Sequence, residues 1–284
     1  MKKVLVTGAT GFIGNYVIEN LLQQQYIVIA SSANIEKAKR ASWYHLVNYI
    51  PLDFKRLDNS IDYYTYFQKP DLMIHLAWEG LPNYKASFHL EENLPNHYLL
   101  LKNLVINGLK DITVTGTCLE YGMEEGCLSE NLPTKPSNAY AVAKDKLRIS
   151  LEELEKENGC IIKWVRLFYM YGKGQNPNSL LSQLDNALAS GDSVFNMSGG
   201  QQQRDFLPVN EVAKNIIKIA LQNEVRGIIN CCSGQPITVE VFVKNYVATI
   251  DKHIQLNFGY YPYTDYEPMH FWGDNRKLKS IING

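Results

Sequence analysis

Tyr140 and Lys144 are the two residues whose types and spacing best suit proton chemistry in this sequence. They begin a stretch with helical periodicity. Side chains four residues apart on a helix lie one above the other, so the phenol and the ammonium would be neighbours. A Tyr-x-x-x-Lys pair is also found on ordinary amphipathic helices, so this pair gains its weight from a second motif.

The second motif is a run of glycines at positions 8, 11 and 14, directly after the apolar segment Val4-Leu5-Val6. A short apolar run of this kind predicts a strand buried on both faces. Missing Cβ atoms let the chain turn sharply and let the backbone approach phosphate, and the following helix offers free N–H groups to an anion. A tight turn without a ligand is the alternative. Together the two motifs predict a dinucleotide site and hydride chemistry on a sugar-like hydroxyl or ketone.

The elements that would position these motifs alternate along the chain. Helical patterns are clearest at residues 12–24, 94–107 and 140–157. Strands are predicted at 3–7, 27–30, 49–52, 72–75, 112–115 and 161–166. This alternation predicts right-handed crossovers and a doubly wound parallel sheet, an α/β fold of the Rossmann type.

After residue 170 the composition changes, because Gly, Asn, Gln and Ser become frequent and the helical patterns become short. We therefore predict a dinucleotide-binding domain over residues 1–170. A smaller C-terminal substrate-binding α/β part would cover 171–284 and be partly interleaved with the first.

Composition argues against several classes of protein. A formal net charge of -1 does not suit a general nucleic-acid binder. No apolar run approaches the length of a membrane span, and Met1-Lys2-Lys3 leads into a strand rather than a signal peptide. The five cysteines show no metal-ligand spacing, so we predict reduced thiols and no metal site. We expect a cytoplasmic protein without nucleic-acid or membrane partners.

Taken together, several short segments resemble a known family. The chain is similar to the extended short-chain dehydrogenase/reductases of the NAD(P)-dependent nucleotide-sugar epimerase/dehydratase type over nearly its whole length. The segments that carry the resemblance are residues 7–14, 52–53, 75–77, 115–122, 140–144, 165–174, 199–209 and 274–278. Within that family it looks nearest to reductases that make dTDP- or CDP-linked sugars from 4-keto-6-deoxyhexoses.

The resemblance implies roles for three catalytic residues. Tyr140 matches the tyrosine that gives a proton to the alkoxide as hydride arrives. A free phenol has a pKa near ~10, and a neighbouring ammonium lowers it, which is the role implied for Lys144. Thr117 matches the Ser or Thr that hydrogen-bonds the reacting oxygen.

Two positions after Thr117 distinguish the reactions of the family. Dehydratases carry Asp-Glu there, and this chain has Cys118 and Leu119, which cannot act as the acid and base of an elimination. Glu120 is the nearest carboxylate and is expected to face elsewhere. Dehydration is therefore not expected.

Coenzyme choice depends on the end of the second predicted strand. NAD-preferring members carry a carboxylate there, whereas this chain has Ser31 and Ser32 and no acidic residue before Glu36. Small hydroxyls leave room for a 2′-phosphate, which Lys37 or Arg40 would neutralise. NADP(H) is therefore favoured, with NAD(H) as the alternative.

Other coenzyme contacts follow from the resemblance. Asp53 would contact the adenine beside Phe54, and Ala77 would let the coenzyme lie flat. His75 is expected to be a packed histidine at a strand end. The full predicted coenzyme set is Gly8, Gly11, Phe12, Ile13, Gly14, Ser31, Ser32, Asp53, Phe54, Leu76, Ala77, Tyr140 and Lys144.

Four residues are predicted to bind the sugar substrate. Arg204 resembles the family's contact to the nucleotide diphosphate, since a guanidinium grips phosphate oxygens in a bidentate way. A surface Arg204 paired with Asp205 is the alternative. Tyr169 stands where the family usually has an Asn that touches the diphosphate. Trp78 and Tyr84 are expected to border the hexose pocket.

These features predict an NADP(H)-dependent reductase acting at C4 of a nucleotide-linked 4-keto-6-deoxyhexose in deoxysugar biosynthesis. The family further implies a homodimer. The enzymatic alternative is a nucleotide-sugar 4-epimerase that keeps its NAD tightly bound. A dinucleotide-sensing regulator is disfavoured, because such proteins commonly lose the Tyr/Lys pair that this chain keeps.

Overall fold

The computed structural model describes residues 2–250, 252–263, 265 and 267–283. The outer ends of the two predicted parts, Met1 and Gly284, lie outside this range. Within it, one parallel sheet is formed by β1 (Lys3–Thr7), β2 (Ile27–Ser31), β3 (Asn48–Tyr49), β4 (Leu72–His75), β5 (Asp111–Thr117), β7 (Ile161–Leu167) and β11 (Gly227–Cys231). The order of these strands across the sheet is β11-β7-β5-β4-β1-β2-β3. The prediction of a doubly wound parallel sheet is confirmed.

Helices cover both faces of this sheet. One face packs mainly on α1 (Phe12–Gln23), α7 (Val209–Leu221) and α9 (Arg276–Ile282). The opposite face packs on α3 (Tyr63–Tyr66), α4 (Leu94–Ile106) and α5 (Ala139–Asn158). Since α7 and β11 come late in the chain, the C-terminal part contributes to both the sheet and its cover. The predicted boundary at residue 170 remains a prediction.

Shorter elements complete the remaining part of the chain. The further helices are α2 (Ile35–Lys39), α6 (Leu180–Ser190) and α8 (Val239–Ala248). The further strands are β6 (Gly126–Leu128), β8 (Tyr169–Tyr171), β9 (Val194–Asn196), β10 (Gln203–Pro208), β12 (Pro236–Thr238), β13 (Gln255–Asn257) and β14 (Phe271–Gly273). β8, β10 and β12 form a separate small sheet, which carries Tyr169 and Arg204. No helix in the described ranges is both long and apolar enough to cross a membrane.

The third strand differs from its prediction. It was expected over residues 49–52, but the strand proper is only Asn48–Tyr49. The N–H groups of Ile50 and Leu52 still donate to Ala30 and Ser32. Pro51 lies between them and has no N–H to give, so the regular ladder ends before it.

Candidate active site

The glycine segment forms the tight turn between β1 and α1. Gly8 has φ +72°, and a Cβ there would lie 2.7 Å from the backbone nitrogen of Ala77 at the end of β4. A Cβ on Gly14 would collide with the carbonyl oxygen of Gly8. Only glycine fits both positions, and the N-terminus of α1, which has no side-chain cap, opens at this turn.

Tyr140 lies in the first turn of α5. Asn138 caps this helix by accepting a hydrogen bond from the Ala141 N–H at 2.9 Å. The Tyr140 N–H donates to the Tyr84 carbonyl at 2.9 Å, which ties the helix to the preceding loop. The Tyr140 phenol is buried and hydrogen-bonded to the Thr117 side chain. Burial raises the pKa of Tyr140 above its ordinary value, and the Thr117 hydrogen bond opposes that rise.

Lys144 lies one helical turn after Tyr140 and is also buried. Its Nζ donates to the Thr115 carbonyl oxygen at 2.9 Å and lies 4.0 Å from the centroid of the Trp78 ring. Burial lowers the pKa of Lys144 to about 7, and the negative charge of Glu120 opposes this shift. Lys144 therefore gains or loses its proton near neutral pH, one helical turn from the Tyr140 phenol.

Glu120 lies beneath this site rather than in it, as expected from the sequence. Its carboxylate accepts the Thr117 N–H at 2.8 Å and pairs with the Arg166 Nε at 2.6 Å. The indole N–H of Trp164 donates to the same carboxylate. These contacts engage both oxygens of the Glu120 carboxylate and fix the backbone at Thr117.

A cavity of about 400 Å³ joins the glycine turn to Tyr140. The predicted residues that line it are Gly8, Gly11, Phe12, Ile13, Gly14, Leu76, Trp78, Tyr84, Thr117, Tyr140, Lys144 and Tyr169. A second cavity of about 660 Å³ adjoins it, since both are lined by Leu81, Tyr84 and Tyr169. The structure therefore brings the predicted catalytic residues and most of the coenzyme and substrate residues to one connected space.

Arg204 reaches the second cavity but is not a free cation. Its guanidinium pairs with Glu267 at 3.0 Å and lies over the Phe271 ring, 4.7 Å from the centroid. The alternative of a surface Arg204 paired with Asp205 is wrong, because Arg204 is buried and Asp205 accepts the N–H groups of Ser233 and Gly234. Tyr169 is half-buried nearby with its hydroxyl enclosed, and the pKa of Tyr169 is raised by burial of that hydroxyl and by the charge of Glu267.

Five predicted coenzyme residues do not line the first cavity: Ser31, Ser32, Asp53, Phe54 and Ala77. Ala77 backs the glycine turn. Phe54 stacks on His97 in the core, and Asp53 accepts the Lys55 N–H. Ser32 bonds to the Tyr49 hydroxyl. The Ser31 hydroxyl is buried and has no hydrogen-bond partner in the part of the chain that the structure describes.

His75 is a packed histidine at a strand end, as expected. Its Nδ1 shares a hydrogen bond with the Thr7 hydroxyl at 2.7 Å, and its Nε2 shares one with His97 at 2.8 Å. Complete burial lowers the pKa of His75 to about 3. The ring is therefore neutral at physiological pH and supports β1 and β4 from inside the sheet.

Comparison with known proteins gives the family. The model of the NAD-dependent epimerase/dehydratase family matches residues 4–232, which is most of the chain. The chain belongs to this family. It is therefore an enzyme of the oxidoreductase type within the extended short-chain dehydrogenase/reductases, which confirms the predicted family and enzyme class.

Two curated relatives are named as dehydrogenases. The dTDP-6-deoxy-L-talose 4-dehydrogenase (NAD(+)) of Aggregatibacter actinomycetemcomitans is 28% identical, covering 95% of this chain and 98% of the relative. The GDP-6-deoxy-D-talose 4-dehydrogenase of the same organism is 29% identical, covering 82% and 74%. The UDP-glucuronic acid 4-epimerase of Bacillus cereus in complex with NAD has a TM-score of 0.83 at 23% identity, covering 99% of this chain and 92% of its own. That structure supports the fold.

The family coenzyme fits the residues present. Gly8 and Gly14 line the first cavity at the N-terminus of α1 and bring no side chain there, so the backbone can approach a phosphate at these two positions. The unpartnered Ser31 hydroxyl lies at the end of β2, where the family places the adenosine ribose. These two observations are compatible with a dinucleotide bound along the carboxyl edge of the sheet.

Several lining residues were missed by the sequence analysis: Leu81, Met170, Gln175, Asn176 and Glu267. Glu267 is the one with charge. No motif marks it, because it meets Arg204 only through the tertiary fold. Met170 follows the predicted Tyr169 just after the strand β7, so its place at a strand end was an available signal.

Proposed function

We propose that this enzyme catalyses oxidation and reduction at C4 of a nucleotide-linked 6-deoxyhexose, with reduction of the 4-keto sugar as the biosynthetic direction. The coarser activity, nucleotide-sugar dehydrogenation or epimerisation with a nicotinamide coenzyme, follows from the family and its relatives. The observation that carries the proposal is the group Thr117, Tyr140 and Lys144 in one cavity, with Cys118 and Leu119 rather than an Asp-Glu pair directly after Thr117.

Each residue of this group has a distinct task. A bound nicotinamide coenzyme supplies or accepts the hydride. The Thr117 hydroxyl donates a hydrogen bond to the C4 oxygen, and Tyr140 gives its phenolic proton to that oxygen as negative charge develops. The Lys144 ammonium stabilises the phenolate that remains. In the oxidative direction, the same phenolate takes the hydroxyl proton.

The walls of the catalytic cavity support a 6-deoxy sugar. The residues that line it with Tyr140 include Leu81, Cys118, Leu119 and Met170, which suit a C6 methyl group better than a hydroxyl or a carboxylate. Among the described residues that line this cavity, Lys144 is the one cation. A C6 carboxylate would therefore have no other cation to pair with, which disfavours a hexuronic acid.

The coenzyme preference is part of the proposal. We keep NADP(H) because no carboxylate ends β2 and because Lys37 and Arg40 follow it. One relative and several solved neighbours carry NAD in their names. Comparing kcat/KM for NADPH and NADH decides between them. Lys37→Ala with Arg40→Ala should raise KM for NADPH at least about tenfold and leave KM for NADH unchanged. Lys39→Ala, which removes a lysine already paired with Glu36, is the matched control.

A 4-epimerase is the second candidate, because several curated relatives and solved neighbours carry that name. It would use the same three residues, but the coenzyme would be regenerated in each turnover. The two functions differ in whether free coenzyme is consumed.

The deciding experiment follows absorbance at 340 nm with purified enzyme. The oxidative assay uses dTDP-6-deoxy-L-talose with NADP⁺ or NAD⁺, and the reductive assay uses the corresponding dTDP-4-keto sugar with NADPH or NADH. Stoichiometric coenzyme turnover supports the proposal. If the enzyme converts a nucleotide sugar to its C4 epimer without net coenzyme change, and releases NAD on denaturation, the reductase proposal is wrong and the epimerase is correct.

A further inference from the structure

Trp78 contacts both Lys144 and Tyr140 through its ring. The Lys144 Nζ lies 4.0 Å from the centroid of the Trp78 ring, well inside the distance at which an aromatic face attracts a cation. The Trp78 ring also meets the Tyr140 ring edge-on, with 6.0 Å between centroids. Trp78 was predicted only to border the hexose pocket.

Lys144 has few other partners for its charge. The side chain is almost fully buried, and its Nζ donates a hydrogen bond to the Thr115 carbonyl oxygen at 2.9 Å. Removing an ammonium from water is costly unless polar partners replace the water. The face of an indole ring is such a partner.

The indole ring is held in place from two sides. Its other neighbours are His97, stacked at 4.7 Å between centroids, and His89, which accepts the indole N–H at 3.1 Å. His97 in turn stacks on Phe54. A ring fixed in this way presents its face to Lys144 without losing further side-chain entropy.

We propose that Trp78 is a positioning residue, whose indole face holds the charged Lys144 ammonium against Tyr140 in a dry part of the site. Its effect on catalysis rests on the proposed function. Its effect on the ionisation of Lys144 is a property of the protein alone and is measurable without substrate or coenzyme.

The other ionisable groups around Lys144 are Glu120 beneath Thr117, Tyr140 on the same helix, and three histidines. Glu120 favours the charged form of Lys144. Burial lowers the pKa of His75, His89 and His97, so these rings stay neutral over the neutral and alkaline range. None of the three therefore adds a competing titration there.

The test compares Trp78→Phe with Trp78→Leu. Both variants lose the indole N–H to His89, and only the phenylalanine keeps an aromatic face. The protein is labelled with [ε-¹³C]lysine, the Lys144 signal is assigned by its loss in Lys144→Arg, and its chemical shift is followed against pH in coenzyme-free protein. We expect the pKa of Lys144 to fall by about one unit in Trp78→Leu and by clearly less in Trp78→Phe. Equal values in wild type and Trp78→Leu would overturn the proposal, as would equal shifts in both variants. If Trp78→Leu does not fold, Trp78→Met takes its place.

A kinetic measurement extends the test to the reaction. Protonated Lys144 is the active form in reduction, so the reductive kcat/KM falls as pH rises through the pKa of Lys144. In Trp78→Leu this alkaline limb should move to lower pH by the same amount as the NMR titration. If no coenzyme turnover is found with any nucleotide sugar, the proposed function fails, while the NMR comparison still decides the role of Trp78.

Discussion

Glu120 and Arg166 form an ion pair in which both side chains are fully buried, with 2.6 Å between the Glu120 Oε2 and the Arg166 Nε. The other carboxylate oxygen accepts the Thr117 N–H at 2.8 Å. The Thr117 hydroxyl in turn accepts the Leu119 N–H and is hydrogen-bonded to Tyr140. The buried pair therefore fixes the turn that presents Thr117 to the site.

Replacing Glu120 by Ala should strongly destabilise the protein. The change leaves the Arg166 charge buried without its partner, which typically costs about 3–5 kcal/mol in the free energy of unfolding. Urea denaturation measures it. Glu124→Ala is the matched control, because Glu124 pairs with Lys135 at 2.7 Å on the surface. Its replacement should lower the free energy of unfolding by only about 0–1 kcal/mol. A Glu120→Ala loss no larger than that of Glu124→Ala would show that the buried pair does not stabilise the turn.

Replacing Tyr140 by Phe should remove turnover and leave the fold and coenzyme affinity nearly unchanged. The change deletes only the phenolic hydroxyl, whose contribution as a positioned acid is typically about 10²–10⁴-fold in kcat. Steady-state kinetics and calorimetric coenzyme binding measure the two effects. The control is Tyr66→Phe, which removes a hydroxyl that donates to the Pro51 carbonyl away from the cavity. Full activity of Tyr140→Phe would mean that another group protonates the C4 oxygen.

Much of the site could be predicted because its signals are local. The glycine turn lies between one strand and one helix, and Tyr140 and Lys144 share one helical face. Thr117 ends β5, and parallel strands bring their carboxyl ends to the same edge of the sheet. Local periodicity and family motifs were therefore enough to assemble these residues.

The remaining contacts depend on chain segments that meet only in the folded protein. Arg204 and Glu267 are 63 positions apart, and nothing in either segment indicates the other. Likewise, the side chain of Trp78 could have faced solvent or substrate. It faces Lys144 because His89 and His97 hold it there. Such packing has no signature in a single sequence.

Replacing Gly8 by Ala should lower the free energy of unfolding by more than the strained backbone conformation alone explains. Gly8 and Gly191 have similar positive φ angles, +72° and +77°, so an alanine is strained at both. At Gly8 the new methyl group would also meet the Ala77 nitrogen at 2.7 Å, whereas at Gly191 nothing lies within 4 Å among the described residues. We expect Gly191→Ala to lower the free energy of unfolding by about 1 kcal/mol. Gly8→Ala should lower it by roughly 1–3 kcal/mol more and should also weaken coenzyme binding. Thermal unfolding and coenzyme titration measure the two effects. Equal stability and equal coenzyme affinity in the two variants would contradict this expectation.

Replacing Lys144 by Met should abolish activity and yet stabilise the coenzyme-free protein at neutral pH. Burial lowers the pKa of Lys144 from 10.5 to about 7. Below pH 7 the lysine is charged in both the folded and the unfolded chain, and the folded state bears the full cost of the buried charge. Between these two pKa values only the unfolded chain is charged, so the cost shrinks as pH rises. Methionine carries no charge and therefore avoids this cost at every pH.

The expected gain in the free energy of unfolding is roughly 2–4 kcal/mol at pH 7 and less than half of that at pH 9.5. Urea denaturation at both pH values measures it. Lys214→Met is the control, since Lys214 is half-exposed and pairs with Glu211 at the surface, and its change should stay within about 1 kcal/mol at either pH. A Lys144→Met variant that is less stable than wild type at pH 7 would mean that Trp78 and Glu120 together more than offset the cost of burying this ammonium.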